Sequence, residues 1–436
     1  MKKLLFTLLN CLSLYTFVYS QSADTLKQQR WNAHFQTTLI GQWHPDFKAA
    51  YTGVNSLQTH EIPRLSVTAT VFFGLRLWKG AEIYFNPEVS GGEGFSQTAG
   101  LAGATNGETF RVGSATPKVY VARLFLRQYV ALSKDYEWQE NKINQLRVKR
   151  PVSYLSFLVG RINIADYFDN NSVAHDARKQ FINWGLMGNG AWDYPANTRG
   201  YTYGFVAEWV KKRWAVRYGI ATVPTSANAS DMNFDLSKAS AHTIEAEGGW
   251  SIKGLEGKLR ILGFSNFANM GNYRTATLMD TPDIIATRRY TRSKFGFGIN
   301  AEQQVTPYTS VFAKYSWNDG QNETWMFTEM DQSFSAGVST TGKYWKRPTD
   351  NMGLAILVSG LSDPHRAYLA KGGYGFIIGD GKLNYAPEFV VEWYYSLAVY
   401  KQYLFISPDY QFIVNPAYNK DRGPVHALGV RVHAEF

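Results

Sequence analysis

The chain ends in the octapeptide GVRVHAEF (residues 429–436), and the alternation in this stretch decides the fold class. Its even-numbered residues are apolar, whereas its odd-numbered residues are glycine or carry a polar side chain. A period of two is that of a β-strand with one apolar face and one polar face. Because the alternation runs to the final aromatic residue, this strand has to pair with a part of the chain that comes earlier.

The same alternation recurs throughout the sequence. It appears in LSVTATVFFGLRLW (65–78), AEIYFNPEV (81–89), RWAVRYGI (213–220) and FGFGINAE (295–302). Strands of a soluble sandwich also alternate, but here charged residues stand in mid-strand and glycine is frequent, as in a water-filled lumen. We count about 16 such segments and predict an all-β fold, an antiparallel transmembrane β-barrel whose long extracellular loops constrict the lumen.

The segments that join the predicted strands alternate between short and long. The strands are placed near 31–43, 62–78, 80–90, 118–131, 152–163, 200–210, 213–221, 242–253, 256–267, 292–304, 308–318, 331–339, 350–360, 385–399, 402–414 and 425–436. Longer loops are placed at 91–117, 164–199, 222–241, 268–291 and 361–384. Short periplasmic turns that alternate with long outer loops are typical of bacterial barrels. The exception is 132–151, which is long and charged where a short turn is expected.

The barrel has to close because its strands are surrounded by the hydrocarbon of the bilayer. Hydrocarbon offers no hydrogen-bond partner, so a sheet in a bilayer cannot keep a free edge. We therefore expect the C-terminal strand to pair with the first strand, WNAHFQTTLIGQW (31–43).

The composition separates this class from other membrane proteins and from nucleic-acid binders. Aromatic residues make up 15% of the chain, with 38 glycines. No apolar run beyond the N-terminal segment reaches the ~18 residues that a membrane helix needs. Once Lys2 and Lys3 are removed from the 45 basic residues, 43 stand against 35 acidic ones. They are scattered rather than clustered, so we do not expect nucleic acid as a partner.

The N-terminus, MKKLLFTLLNCLSLYTFVYSQS (1–22), has a basic start, an apolar stretch and small or polar residues around Ser20. We predict a signal peptide over 1–20 and a barrel domain over 21–436, exported to the bacterial outer membrane. A membrane anchor is the alternative, but polar residues interrupt a short apolar stretch. A lipoprotein modified at Cys11 is a second alternative, although a bulky Asn10 precedes that cysteine. Cys11 is the only cysteine, so the mature chain has no disulfide.

Charged residues of lumen parity are the first candidates for the solute path: Glu82, Glu88, Arg123, Arg127 and Arg217. Arginine and carboxylate groups give directional hydrogen bonds to hydroxyl-rich solutes. The alternative is that they pair across the wall and only make it rigid. His34 and His433 also have lumen parity, and we expect them to form hydrogen bonds rather than to catalyse.

Aromatic residues of the longest loop are the second candidates. The stretch from Phe168 to Tyr201 is polar and contains Trp184, Trp192 and Tyr194. A loop of this length usually has a function. If it folds into the barrel it narrows the pore, and its rings can stack on the C–H face of a sugar. An extracellular lid, or a girdle of interfacial rings, is the alternative.

Enzymatic motifs are missing from the sequence. The glycine-rich stretch 90–113 lacks the G-x-x-x-x-G-K-[ST] spacing of a phosphate-binding loop, so close packing at the pore mouth is the better interpretation. There is no G-x-S-x-G and no H-E-x-x-H. We predict no enzyme, no metal and no cofactor. A barrel hydrolase would need a Ser–His pair near the rim.

Several stretches together resemble the carbohydrate-selective porins of the OprB family. They are NGETFRVG (106–113), VARLFLRQ (121–128), the segment 160–201 and EWYYSLAVYKQYLFISPDYQFIVNP (392–416). The resemblance implies a 16-stranded outer-membrane porin that admits monosaccharides and similar small sugars by facilitated diffusion. It places Arg123 and Arg127 on the strand after the glycine-rich loop. It implies a constriction formed in part by Asp169, Asp176, Arg178, Trp184, Asp193 and Tyr194.

The predicted partners are small carbohydrates, outer-membrane lipid and lipopolysaccharide. By analogy with other bacterial barrels, we also expect the barrel-assembly machinery to recognise the C-terminal strand. The sequence does not decide whether the barrels form a homotrimer. The rival within transport is a porin selective for anions or sugar acids, since the mature chain is net basic. An excess of lumen arginine over lumen carboxylate would favour that rival.

Overall fold

The computed structural model describes residues 27–109 and 115–436, and in them sixteen antiparallel strands close into one barrel. The predicted signal peptide, 1–20, lies outside the described residues. The barrel strands β1 to β16 are Trp31–Trp43, Arg64–Trp78, Ala81–Gly92, Lys118–Ala131, Tyr154–Ile162, Thr202–Lys211, Trp214–Ala221, Ser240–Ile252, Leu255–Met270, Arg289–Thr306, Thr309–Asn318, Gln332–Thr341, Asn351–Gly360, Glu388–Tyr400, Leu404–Val414 and Val425–Glu435. The predicted fold class and strand number are confirmed.

Pairing of the two terminal strands closes the cylinder. Thr38 of β1 lies opposite His433 of β16, and Trp43 lies opposite Leu428. Phe436 continues the pairing, because its N–H donates to the carbonyl of Phe35 at 2.8 Å. The alternation at the C-terminus therefore belongs to a strand that removes the free edge of the sheet.

The two faces of the wall follow the sequence parity. On β16, Val430 is 50% exposed to the outside, whereas Arg431 is 1% exposed and points inward. On β2, Leu65 is 57% exposed and Thr70 is fully buried. The outer surface is therefore apolar, and polar groups fill the interior, as lipid on one side and water on the other require.

Connections differ at the two ends of the barrel. At one end the chain turns tightly at 79–80, 212–213, 253–254 and 307–308, and the chain terminus Phe436 lies there. At the other end all connections are longer, from 44–63 to 415–424. Two connections at the end with the tight turns are longer: 342–350, which contains the 3₁₀ turn Gly342–Trp345, and 132–153, which contains a two-stranded ribbon, Tyr136–Trp138 with Lys149–Pro151.

Short elements decorate the long loops. A second ribbon pairs Val223–Pro224 with Met232–Asn233. The helices are α1, α2 and α3, at Trp184–Met187, Tyr273–Thr277 and Asp363–Ala370. Single 3₁₀ turns lie at Phe95–Thr98, Gly107–Thr109, Ile164–Asp166, Ile285–Thr287, Gly342–Trp345 and Pro416–Tyr418.

None of the helices in the described part of the chain is long and apolar enough to cross a membrane.

Candidate functional site: a narrowed lumen

The loop between β5 and β6, residues 163–201, enters the barrel and is bonded to its inner wall. We call it the inward loop. Glu392 of β14 accepts hydrogen bonds from the backbone N–H groups of Ile182 (2.6 Å) and Asn183 (2.9 Å). From β11, the Lys314 ammonium donates to the carbonyl of Ala174 at 2.7 Å. Polar side chains on the inner face of the wall thus form hydrogen bonds with backbone groups of the loop, which would otherwise be buried without partners.

Asp169 ties the two arms of the inward loop together. Its carboxylate accepts hydrogen bonds from the backbone N–H of Asn189 (2.6 Å) and from the side chain of Asn300 on β10 (2.7 Å). Its own N–H donates to Glu245 of β8 at 2.6 Å. Asp169 has a positive φ of 55°, a conformation that aspartate tolerates better than most residues. The loop is therefore fixed at its deepest turn.

The glycine-rich loop joins β3 to β4, and its residues 93–109 pack on the inward loop, where the N–H of Gly107 donates to the carbonyl of Ile182 at 2.8 Å. A Cβ at Gly107 would lie 2.3 Å from the sulfur of Met187, so only glycine fits there without displacement. The N–H groups of Ala102 and Gly103 donate to Glu388 of β14 at 2.9 and 3.0 Å. The sequence interpretation of this glycine-rich stretch as close packing holds for its described residues.

A cavity of about 1120 Å³ remains between the inward loop and the opposite wall. It is lined mainly by β4, by β6 to β10, by the inward loop and by segment 139–150 at the end with the tight turns, and individual residues of β1, β2, β5 and β16 also border it. Both polar and ionisable side chains face it. This cavity is the candidate path for a solute.

Charges of alternating sign cross the wall of this cavity from β4 to β10. We call them the charge ladder; its members are Arg127, Glu208, Arg217, Glu245, Glu247, Arg260 and Glu302. Strand register builds it, because Arg217 lies directly opposite both Glu208 and Glu245, and Arg260 lies opposite Glu247. The N···O distances are 3.5, 3.2, 2.9, 2.7 and 3.0 Å from Arg127 to Glu302. The wall is thus rich in donors and acceptors but carries little net charge.

Two further arginines connect the loops to the wall. Arg123 of β4 forms a bidentate pair with Asp166, at 2.6 and 2.8 Å. Arg178 of the inward loop donates to Glu88 of β3 at 3.0 Å and to Glu108 of the glycine-rich loop at 2.9 Å. These charge-assisted bonds fix where the loops narrow the lumen.

A cluster of four rings that contact one another borders the cavity, three of them from the inward loop. This aromatic cluster consists of Trp184, Trp192, Tyr194 and Phe327. Ring centroids are 5.6 Å apart for Trp184 and Tyr194, 5.2 Å for Trp184 and Phe327, and 5.4 Å for Trp192 and Tyr194. Trp192 is buried, whereas Trp184 and Tyr194 are half-buried and present part of their surface to the cavity. An apolar surface therefore lies within the same cavity as the charge ladder.

Comparison with known proteins decides the family. The model of the family described as "Carbohydrate-selective porin, OprB family" matches residues 74–436. The chain belongs to this family. No curated protein matches it at a significant level. The structure is similar to that of Pseudomonas putida OprB, with a TM-score of 0.69 and 16% identity over 93% of this chain and 94% of that one. It is also similar to the outer-membrane channel DcaP of Acinetobacter baumannii, with a TM-score of 0.51 and 10% identity over 93% and 97%.

Membership in the family gives the location and the function of the barrel. The porin lies in the bacterial outer membrane and passes small carbohydrates by facilitated diffusion through a water-filled pore. The end with the tight turns is therefore the periplasmic end, and the inward loop enters from outside. Family and fold are those of a channel rather than of an enzyme.

A Ser–His contact does occur near the rim of the porin. Ser240 Oγ lies 3.3 Å from Nε2 of His242, on the outward face of β8. The other ring nitrogen of His242 lies 2.7 Å from the hydroxyl of Tyr218, where a hydrolase would place an orienting carboxylate. This contact therefore does not favour the barrel hydrolase. Among the residues that the structure describes, no group of His, Cys, Asp and Glu is arranged to hold a metal ion.

The lining of the cavity does not meet the arginine criterion that would favour the anion-selective rival. Seven arginines border the cavity in the described residues, against eight carboxylates, and Lys142, Lys179 and Lys258 border it as well. The arginines are 123, 127, 150, 178, 199, 217 and 260, and the carboxylates are 108, 166, 169, 176, 208, 247, 302 and 435. The excess of lumen arginine that would favour an anion porin is not there, and most of these arginines are paired.

Nine of the twelve residues predicted for the path border the cavity. They are Arg123, Arg127, Asp169, Asp176, Arg178, Trp184, Trp192, Tyr194 and Arg217. The other three, Glu82, Glu88 and Asp193, do not border it, because each is engaged elsewhere. Glu82 accepts from the Tyr84 hydroxyl at 2.7 Å, and Glu88 accepts from Thr70 at 2.6 Å.

Asp193 has a structural position. It is fully buried and accepts hydrogen bonds from the backbone N–H groups of Trp325 (2.9 Å), Met326 (3.1 Å) and Phe327 (2.9 Å). These bonds join the inward loop to the outer loop 319–331. We therefore leave Asp193 out of the solute path, although it lies between two residues that line the cavity.

The histidines predicted to form hydrogen bonds do so. Nδ1 of His433 lies 2.8 Å from the hydroxyl of Thr38, across the seam that closes the barrel. Nε2 of His34 lies 3.0 Å from the side-chain oxygen of Asn141, in the periplasmic connection.

Two titratable groups of the inward loop keep fixed charge states. Burial and the nearby Lys314 ammonium lower the pKa of His175, so its ring is neutral at pH 7. Burial alone would raise the pKa of Asp176, but Lys179 and Arg178 outweigh it and lower that pKa below its usual value. The loop therefore presents a neutral imidazole and an ionised carboxylate to the cavity.

Proposed function

We propose that neutral sugars cross this porin through the cavity between the inward loop and the charge ladder. The observation that carries the proposal is the ladder itself, a row of alternating charges along the cavity wall. Sugar hydroxyls both donate and accept hydrogen bonds, so they can bind to arginine and carboxylate groups in turn. Binding must be weak enough for release, which suits groups already engaged with one another.

Pairing of the charges also favours neutral solutes over anions. An arginine that already contacts carboxylates offers less attraction to a passing anion than a free arginine would. Arg217, for example, lies within 3.5 Å of Glu208, Glu245 and Glu247. We infer that the lumen selects by hydrogen bonding and shape rather than by charge.

The aromatic cluster supplies the second part of the proposed site. Trp184 and Tyr194 present apolar ring surface to the cavity. The C–H face of a pyranose can pack on such an aromatic ring while the hydroxyls at the edge of the sugar face polar groups. We propose that Arg123, Arg127, Asp169, Asp176, Arg178 and Arg217 form the polar side of the constriction, with Trp184, Trp192 and Tyr194 as its aromatic side.

Assembly and export remain predictions. We propose that residues 1–20 are a signal peptide, that 21–436 form the mature barrel domain, and that the strand ending at Phe436 is recognised by the barrel-assembly machinery. Whether the barrels form a homotrimer is a question for light scattering in detergent.

Liposome swelling tests the proposed selectivity. Purified porin in liposomes is exposed to neutral hexoses, to sugar acids of the same size and to inorganic anions. We expect neutral hexoses to enter faster than sugar acids, because paired arginines give the anions little advantage. Sugar acids that enter faster than their neutral counterparts would contradict the proposal and favour the anion-selective rival.

A further inference from the structure

The periplasmic connection 132–153 is the segment that the barrel pattern did not explain. Its ribbon, Tyr136–Trp138 with Lys149–Pro151, leads to a tip at 139–145. The tip closes on itself, since Lys142 and Gln145 exchange backbone hydrogen bonds of 3.1 and 3.0 Å. Asn144 takes a positive φ of 52°, which asparagine tolerates in a tight turn. This segment is therefore a formed hairpin, and we call it the periplasmic hairpin.

The periplasmic hairpin is anchored to the barrel. Leu146 is fully buried, and its N–H donates to the hydroxyl of Tyr84 at 3.3 Å. The guanidinium of Arg150 lies 4.1 Å from the ring centre of Tyr129 and 3.7 Å from Glu82. Packing and charge thus hold the hairpin against β3 and β4.

The tip turns into the lumen and bonds to β1 and β3 through amides. The Asn141 side-chain oxygen accepts a hydrogen bond from Asn32 of β1 at 2.7 Å. The Asn144 oxygen accepts one from Asn86 of β3 at 2.9 Å. Asn32 also donates to the carbonyl of Gln145 at 3.0 Å. Neutral amides therefore surround the tip, in contrast to the ionised groups of the charge ladder.

The same tip lines the cavity at its periplasmic end. Its lining residues are Gln139, Asn141, Lys142, Ile143, Asn144 and Gln145. His34 and Gln36 of β1 border the cavity beside them. Amide groups offer one donor and one acceptor edge each, and such groups match the paired hydroxyls of a sugar. Lys142 is the one charged residue among these lining residues of the tip.

We infer that the periplasmic hairpin forms a second sugar-binding site, an amide-lined exit site through which neutral polyols leave the lumen. This inference rests on the proposed function, because it requires that sugars pass through this cavity. The site is separate from the constriction made by the inward loop and is built from the opposite end of the barrel. A sugar released by the charge ladder would bind there before it enters the periplasm.

The test uses glucose and single channels in planar bilayers. Glucose that binds in the lumen reduces the ion current, and the half-blocking concentration measures the affinity. In Asn141→Ala we expect that concentration to rise roughly fivefold, the effect of losing about one neutral hydrogen bond. In the control Glu137→Ala, on the exposed ribbon and away from the cavity, it should not change.

A second variant separates the perturbation of the site from folding, because the site is modified only after the barrel has inserted. Cys11 lies in the predicted signal peptide, so Ile143→Cys gives the mature chain a single thiol. A bulky neutral thiol reagent, added after insertion, should lower the current and weaken the glucose block, while modified Glu137→Cys keeps both.

The outcomes separate the two proposals. A normal block in the unmodified porin that neither Asn141→Ala nor modified Ile143→Cys weakens would overturn the exit site and leave the proposed function standing. Absence of any glucose block in the unmodified porin would overturn both.

Discussion

Replacing residues 170–190 of the inward loop by a short glycine–serine linker is expected to raise the single-channel conductance severalfold. Those residues occupy the lumen and are bonded to β10, β11, β14 and β16, through Asn300, Lys314, Glu392 and Arg431. A 16-stranded barrel without such a loop encloses an open aqueous channel. The polar wall groups that lose their loop partners would be hydrated by the water that enters, so the barrel should still fold.

The matched control shortens an outer loop that does not border the cavity. Removal of 279–283, between α2 and β10, should leave the conductance at the level of the full-length porin. Heat-modifiable mobility in gels would show that both deletions form barrels. Equal conductance in the full-length porin and in the 170–190 deletion would mean that the inward loop does not limit the pore.

Removing two arginines from the charge ladder is expected to make the porin select for cations. In the double variant Arg217→Met, Arg260→Met, Glu245 and Glu247 lose the arginines that neutralise them, and Glu208 keeps only Arg127 at 3.5 Å. A lumen of one charge sign concentrates its counter-ions, so the K⁺/Cl⁻ permeability ratio should rise on the order of tenfold. The reversal potential in a KCl gradient measures this ratio.

The opposite variant provides the control for that experiment. Glu208→Gln with Glu247→Gln leaves Arg217 and Arg260 with fewer carboxylates and should shift the reversal potential toward chloride. Reversal potentials that stay unchanged in both variants would show that ions do not pass along the charge ladder.

Most of the barrel could be predicted because each strand has an apolar face toward lipid and a polar face toward water, and the two faces alternate in the sequence. β16 and β2 were predicted within two residues of their ends, since parity sets each face independently of the rest of the chain. Strand ends beyond the membrane were less accurate. β9 extends to Met270 and β10 begins at Arg289, outside the predicted strands, because residues above the membrane no longer alternate.

The site was predictable only in part. The alternation of a strand predicts which side chains face the lumen, but it does not predict which residue each of them contacts. Arg217 was identified from its own strand, but the ladder depends on register, which puts Glu247 opposite Arg260. Glu302 stood on the polar face of its segment, yet its contact with Arg260 spans β9 and β10. Asp193 shows the converse limit, since its neighbours line the cavity while its own carboxylate accepts hydrogen bonds from backbone N–H groups. The paths of the inward loop and the periplasmic hairpin carry no periodic signal.

The central claim is that sugars bind inside the cavity beside the aromatic cluster and the charge ladder. Titration of glucose onto single channels in symmetric KCl tests it most directly. We expect the current to fall along a saturation curve, with a higher half-blocking concentration in Trp184→Ala, which removes ring surface from the cavity. A current that falls only in proportion to the conductivity of the bulk sugar solution, equally in both proteins, would contradict the claim.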